Sequence, residues 1–312
     1  MLYLIIGLIL FCLIIWIIGN VFYNLALNPK TKKDKIFKSK HNKIEKTNDN
    51  DKELLELENW EKSIIKEDLY IQSFDNLKLH AVRIKNNLEK DSNLYVLLCH
   101  GYTGNLKDMF KYGYHFYKKG YNLLIPDFRG HGNSEGTYVG MGWHDRLDIK
   151  RWIDEIIKEN SNSKIILFGI SMGAAAVMMT SGEILPSNVK VVVEDCGYSS
   201  IWDEFKYQLK MIYKLPSFPI LHISSIVSKI KAGYWLWEGS AEESLRKSKL
   251  PTLFIHGKED TYVPFEMLDK VYNSLNAPKE MMVVEGAAHS GSSKILKEKY
   301  WEKVFLFIEK YI

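Results

Sequence analysis

Cysteine is scarce in this chain: three occur among 312 residues, and no two of them have the spacing of a zinc site. Cys12 lies in an apolar N-terminal run, Cys99 ends a strand-like run and Cys196 follows another, so each reads as a small buried side chain. This excludes a small cross-linked scaffold and leaves the compartment open. Neither a Walker A pattern nor G-x-G-x-x-G is present, which removes the two common glycine-rich phosphate cradles. No internal repeat is visible. Excess basic charge is missing from the body of the chain. The total is 42 − 38 = +4, but Lys30–Lys46 holds eight lysines against Asp34 and Glu45, a local +6 that leaves −2 for everything else. A basic nucleic-acid face on the folded domain is therefore unsupported, and a basic collar beside the N-terminus is what remains.

The first 27 residues contain no Asp, Glu, Lys or Arg. Leu2 to Ile18 is almost continuously Leu, Ile, Phe and Trp, and Val21, Phe22 and Tyr23 extend the run to the roughly 20 apolar residues a membrane span needs. A cleaved signal peptide competes, but there is no basic n-region and no small-x-small site near Ala26. Residues 1–27 are thus expected to form a single-pass transmembrane anchor in the cell membrane. Lysines follow the run and none precede it, which favours a cytoplasmic catalytic domain by the positive-inside rule. The Lys30–Lys46 collar could equally bind anionic headgroups of either leaflet, so the side stays open. Residues 28–65 read as this basic juxtamembrane linker, polar over His41–Asp51, followed by a short amphipathic helix carrying Leu54, Leu55, Leu57 and Trp60.

From residue 66 to 312 the pattern changes to short β-rich runs separated by helices. Leu69–Phe74 and Leu77–Ile84 predict a hairpin around Asp75-Asn76, and later strands are expected at Leu94–Cys99, Tyr121–Ile125, Ile165–Phe168, Val189–Glu194, Thr252–Ile255 and Met281–Val284. Such alternation predicts an α/β fold: a mostly parallel central sheet with helices on both faces and an antiparallel N-terminal hairpin. One stretch breaks the alternation. Residues 197–250 exceed what a crossover helix requires and are rich in aromatics, which predicts a helical cap over the sheet's C-terminal edge. Trp202, Phe205 and Trp235 are the candidate substrate-binding residues there, although ordinary packing accounts for at least half of the aromatic set.

The stretch Lys164–Thr180 reads as strand, sharp turn and helix, the context in which Gly169-Ile170-Ser171-Met172-Gly173 becomes a nucleophile elbow. A serine nucleophile needs a base and an orienting acid, and on such an elbow the order along the chain is Ser, then Asp or Glu, then His. Only His222, His256 and His289 follow Ser171. His222 falls in the cap and His256 at the buried end of a strand, whereas His289 lies in a loop of small residues just past the last strand. Asp260 follows the preceding strand and is preferred as acid, with Asp195 its rival and Glu259 a less apt neighbour. For the oxyanion, the backbone N–H of Met172 is one donor, and that of Tyr102 in His100-Gly101-Tyr102-Thr103-Gly104 the other. The Pro126–Ser134 loop, with its Asp127, Arg129 and His131, is expected to be structural because His131 precedes Ser171. His144, Asp145 and Asp148 read as a helix start, and His115 as a helix-surface residue.

Taken together, HGYTGN at 100–105, PDFRGHGNS at 126–134, GISMG at 169–173, GKEDTYVP at 257–264 and the His289 loop resemble the α/β-hydrolase superfamily of serine hydrolases. With EDCGYSS at 194–200, the chain is similar to membrane-anchored bacterial members related to serine-aminopeptidase-like and monoacylglycerol-lipase-like hydrolases. The resemblance implies Ser171 as nucleophile, His289 as base and Asp260 as acid, with no metal and no organic cofactor. The expected activity is hydrolysis of an acyl ester of modest size or a lipid-derived one. An aminopeptidase-like amide hydrolase is the alternative, for which Glu204, Glu238, Glu242 or Glu243 could hold a free amino group. A tethered binding protein on the same fold is the non-enzymatic alternative.

Overall fold

The computed structural model describes residues 2–31, 48–89 and 91–312. Eight strands form one sheet in the order β1-β2-β4-β3-β5-β6-β7-β8. They are β1 Glu67–Gln72, β2 Lys78–Ile84, β3 Leu94–Cys99, β4 Asn122–Pro126, β5 Lys164–Ile170, β6 Val189–Asp195, β7 Thr252–Gly257 and β8 Lys279–Val284. Pairs β1–β2 and β2–β4 are antiparallel and the rest parallel, as expected from the strand–helix alternation. The hairpin turn is fixed locally. Ser73 Oγ donates to Asp75 Oδ1 at 2.6 Å and accepts from the Leu77 amide at 2.8 Å, while Asn76 takes φ 66°.

Near-continuous apolar runs in β3, β5, β6 and β7 are buried on both faces because each face carries its own core. On one side lie the helix Asp145–Glu159, with Ile149, Trp152 and Ile153, and the helix Met172–Ser181. On the other lie Phe110–Lys118 and the C-terminal Glu298–Ile308, joined by Trp60 of the helix Asn48–Ser63. That last helix begins at Asn48, so the polar linker drawn to Asp51 is shorter than expected. Leu57 and Trp60 pack inward and Leu54 and Leu55 stay exposed. Most of the Lys30–Lys46 collar and of the linker falls on residues 32–47, outside the described residues. His115 is half-buried rather than on the open surface, stacked on Trp301 with ring centroids 4.1 Å apart.

Between β6 and β7 the cap is helical, comprising Ile201–Tyr213, Ile220–Ala232 and Ala241–Leu245. The N-terminal run is one helix, Leu2–Leu27, whose C-terminal part docks onto that cap. A Cβ on Gly19 would lie 2.6 Å from Ile223 Cγ2, so the two helices touch where glycine allows it. Tyr23 and Leu27 are buried in the domain core. The Tyr102 hydroxyl donates to the Ala26 carbonyl, and the Val139 amide to the Leu27 carbonyl at 2.7 Å.

Among the described residues no helix is long and apolar enough to cross a membrane. From Gly19 onward the helix of the expected 1–27 anchor packs on the folded domain, and the portion before it, Leu2–Ile18, rises about 25 Å. The first part of the helix exposes Leu4, Ile9, Leu13 and Ile17, and its last part is a wall of the domain.

Candidate active site

Ser171 sits at the apex between β5 and the helix Met172–Ser181 with φ 57° and ψ −118°, a backbone region that costs energy for any residue but glycine. The surroundings hold it there. The Ser171 amide donates to the Asp195 carbonyl at 2.9 Å, and the Ser171 carbonyl accepts from Ala175 at 3.0 Å. A Cβ on Gly169 would collide with the Gly173 carbonyl, and one on Gly173 with the Cys99 carbonyl. Those glycines let the helix start pass directly over β3 and β5.

His289 lies in the loop after β8. Its Nδ1–H donates to Asp260 Oδ2 at 2.7 Å, which leaves Nε2 to accept from Ser171 Oγ at 2.8 Å. Asp260, in the loop after β7, is itself held, since Oδ1 accepts from the amides of Tyr262 at 2.8 Å and Val263 at 2.9 Å. Burial would raise its pKa, but the His256 and His289 rings outweigh that and bring it down to about 2. The carboxylate therefore stays charged throughout the neutral range. His256, which sequence reasoning set aside, donates from Nε2 to the Val263 carbonyl at 3.0 Å and stands 3.5 Å from Asp260 Oδ2. The rival Asp195 is directed elsewhere, accepting from Ser292 Oγ at 3.2 Å and the Tyr300 hydroxyl at 2.9 Å. Glu259 is exposed.

Among the described residues, Cys196, Asp260 and His289 bring three possible ligand atoms within 4.8 Å of one another. Two of them are already bonded to each other, and burial pushes the Cys196 thiol well up, so the set fits a metal poorly.

The loop after β3 carries Tyr102. His100 anchors it: Nδ1–H donates to the Gly101 carbonyl at 2.8 Å and Nε2 accepts the Phe128 amide at 3.0 Å. Burial pushes the His100 pKa down to about 3, consistent with a neutral ring doing both. His131 Nε2–H donates to the Tyr102 carbonyl at 2.7 Å, so the Pro126–Ser134 loop braces this turn instead of supplying a base. Arg129 ties the same loop down through a buried bidentate pair with Asp148, 2.8 Å to each oxygen. Gly101 places the backbone beside the nucleophile, since a Cβ on it would lie 3.5 Å from Ser171 Cβ. Met172 opens the elbow helix, where first-turn amides have no intrahelical partner.

Ser171, Met172 and Tyr102 line one apolar pocket. Of the three aromatic residues expected in it, Phe205 is in the wall and Trp202 and Trp235 are not. Glu204, Phe205, Gln208, Leu209 and Ile212 of the helix Ile201–Tyr213 line the pocket, whereas Trp202, at the start of that helix, does not. Trp202 packs instead on His222 and Trp237, and Trp235 stacks on Trp237 with centroids 4.7 Å apart. The opposite wall was not anticipated: Phe22, Leu25 and Ala26 of the N-terminal helix. Nor was the polar pair Glu204 and Gln208, although Glu204 stood among the cap carboxylates. The remaining three are elsewhere, Glu238 bonded to the Trp235 amide at 2.6 Å, and Glu242 and Glu243 paired with Arg246.

Known proteins agree with this architecture. Residues 95–219 match the model of the alpha/beta hydrolase fold family. The uncharacterized protein YqkD of Bacillus subtilis is 30% identical over 216 residues, 69% of this chain and 70% of that one. The uncharacterized membrane protein YNL320W of Saccharomyces cerevisiae is 25% identical over 245 residues, covering 78% of this chain and 79% of its own. Among solved structures, the esterase Pf2001 of Pyrococcus furiosus superimposes with a TM-score of 0.65 at 25% identity, over 81% of this chain and 93% of the esterase. Elbow, sheet order and relatives together place this chain in the α/β-hydrolase fold family.

Proposed function

We propose that the protein is a serine hydrolase that cleaves a carboxylic ester through an acyl-enzyme on Ser171. The observation that carries the reading is the pair of bonds made by His289, one to Ser171 Oγ and one to Asp260. In the first half-reaction Ser171 Oγ attacks the ester carbonyl and its proton passes to His289 Nε2. Asp260 holds the ring in the tautomer that accepts there and stabilises the imidazolium. The carbonyl oxygen takes the negative charge against the Met172 and Tyr102 amides. Collapse breaks the bond to the alcohol, which leaves with the proton from Nε2. Water then attacks the acyl carbon and gives a proton to His289, which passes it to Ser171 Oγ as the acyl–oxygen bond breaks and the acid leaves. Esterase Pf2001 supports the choice of ester as substrate class.

The amide-hydrolase alternative needs an anionic carboxylate for a free amino group. Glu204 alone of the four candidates lines the pocket, and burial pushes its pKa up to about 8, which leaves it mostly protonated at neutral pH. The ester reading is therefore preferred. Membrane attachment belongs to the same proposal. The exposed apolar part of Leu2–Ile18 inserts into the bilayer, and the Lys30–Lys46 collar meets anionic headgroups.

Turnover of p-nitrophenyl esters and labelling by a fluorophosphonate probe test the chemistry. Wild type should do both and Ser171→Ala neither, with activity falling by about 10⁴-fold or more. Equal turnover by the two proteins would sink the assignment, and aminoacyl anilides cleaved faster than matched esters would favour the amide reading.

A further inference from the structure

The pocket wall contains a carboxyl group that hydrolysis at Ser171 does not use. Glu204 is 3% exposed and lines the same pocket as Ser171. Its Oε1 accepts from Gln208 Nε2 at 2.7 Å, whereas Oε2 is buried with no hydrogen-bond partner. Leaving such an atom unpaired costs about 1–3 kcal/mol, so a group that persists this way in a pocket is suited to a ligand. The side chain is also fixed. Gln208 Nε2 donates at the same time to the Tyr262 carbonyl at 2.8 Å, and the Tyr262 amide binds Asp260. The Tyr262 ring lies 4.9 Å, centroid to centroid, from that of His289. A chain of bonds thus ties Glu204 to the loop that holds the acid, and its free oxygen cannot turn away without breaking that chain.

We propose that Glu204 forms a polar subsite in this apolar pocket, where Oε2 hydrogen-bonds a hydroxyl group carried by the buried part of the ester substrate. The inference rests on the ester-hydrolase reading and narrows its substrate class to hydroxyl-bearing esters. A hydroxyl is the matching group because a carboxyl oxygen kept protonated by burial both donates and accepts, and a hydroxyl does the same in return. A plain hydrocarbon chain would leave Oε2 unpaired, and a cationic group would need the ionised form that burial opposes.

The hydroxyl could belong to the acyl chain or to the alcohol. The test therefore has two arms: p-nitrophenyl hexanoate against its hydroxyhexanoate counterparts, and propyl hexanoate against its dihydroxypropyl counterpart. In one arm or the other, wild-type kcat/KM should favour the hydroxylated member by about 10-fold or more, as expected when a site is built to bond a hydroxyl. Glu204→Leu should bring that ratio close to one, whatever rate it retains on the plain ester. Glu204→Met, closer in length, reads the same ratio should the leucine variant fail to fold. Absence of hydroxyl preference in wild type in both arms, or a preference that survives loss of the carboxyl, overturns the subsite. Fluorophosphonate labelling of each protein separates the two levels. Labelled wild type with no preference rejects the Glu204 subsite alone, whereas unlabelled folded wild type rejects the hydrolase reading beneath it.

Discussion

At the edge of the sheet, Ser171, Asp260 and His289 each follow a strand end within a few residues, while the pocket they face is assembled from segments as distant as Phe22 and Tyr262. The first region is specified by short-range rules. Glycines at the elbow, small residues before His289 and two amides clasping Asp260 each act over a handful of positions. The second depends on docking. The N-terminal helix supplies one wall where Gly19 lets it meet Ile223, and the cap supplies the other through Phe205 and Glu204. Errors at the edge should therefore abolish turnover of every ester. Errors in the wall should change which esters are turned over.

The sharpest break in that comparison is Asp260→Asn. With the carboxylate gone, the His289 tautomer is no longer fixed and the imidazolium loses its counter-charge, so kcat should fall by about 10³–10⁴-fold for short and long esters alike. The same variant has a pH signature. The folded-state pKa of Asp260 lies at about 2, below the unfolded value near 3.9. Its contribution to stability is therefore present above about pH 4 and lost as pH falls towards 2. Denaturant unfolding between those limits should be steeper in pH for wild type than for Asp260→Asn, and matching slopes would contradict the buried, ionised state.

A smaller and more selective effect is expected from Gly19→Leu. A side chain there meets Ile223 and Val227, and the helix must lift from the cap or shift along it. The triad does not touch this contact. Turnover of p-nitrophenyl acetate should stay within about 2-fold of wild type, while kcat/KM for an ester filling the pocket should drop by roughly 10-fold, the scale of a few lost methylene contacts. A parallel loss on both substrates would show that the helix supports the elbow itself, and the contrast between edge and wall would fail.

How much of each region was legible follows from the same difference. Strand positions, the helical cap and the Ser, Asp, His order could be read because each leaves a local pattern: apolar runs, breaks in alternation, a glycine-flanked serine. The structure brings the three residues singled out by that order into one hydrogen-bonded line. The N-terminal helix was legible as apolar but not as half-docked, since an apolar run reads alike whether it meets lipid or protein. Gly19 is a small residue inside a run of large ones, but so is Gly7, which meets nothing, so glycine alone does not mark the docked part. Glu204 was visible only as one of four cap carboxylates, and its distinction from Glu242 and Glu243 is burial, which one sequence does not display.

The smallest expected effect separates two aromatic residues of the cap. Phe205 and Trp202 are both half-buried aromatics on the helix Ile201–Tyr213, three positions apart, and only Phe205 lines the pocket. Phe205→Ala enlarges the cavity beside Ser171 and should shift the preferred acyl chain to a longer one, changing the ratio of long- to short-ester kcat/KM about 3- to 10-fold. Trp202→Ala removes a contact with His222 and Trp237. It should lower Tm and leave that ratio unchanged, because the cost is paid in cap packing and not in the space offered to substrate. Should Trp202→Ala alter chain-length preference as strongly as Phe205→Ala, Trp202 would have to reach the bound ester, and the wall built from Phe205 and Glu204 would not be the one that sets preference.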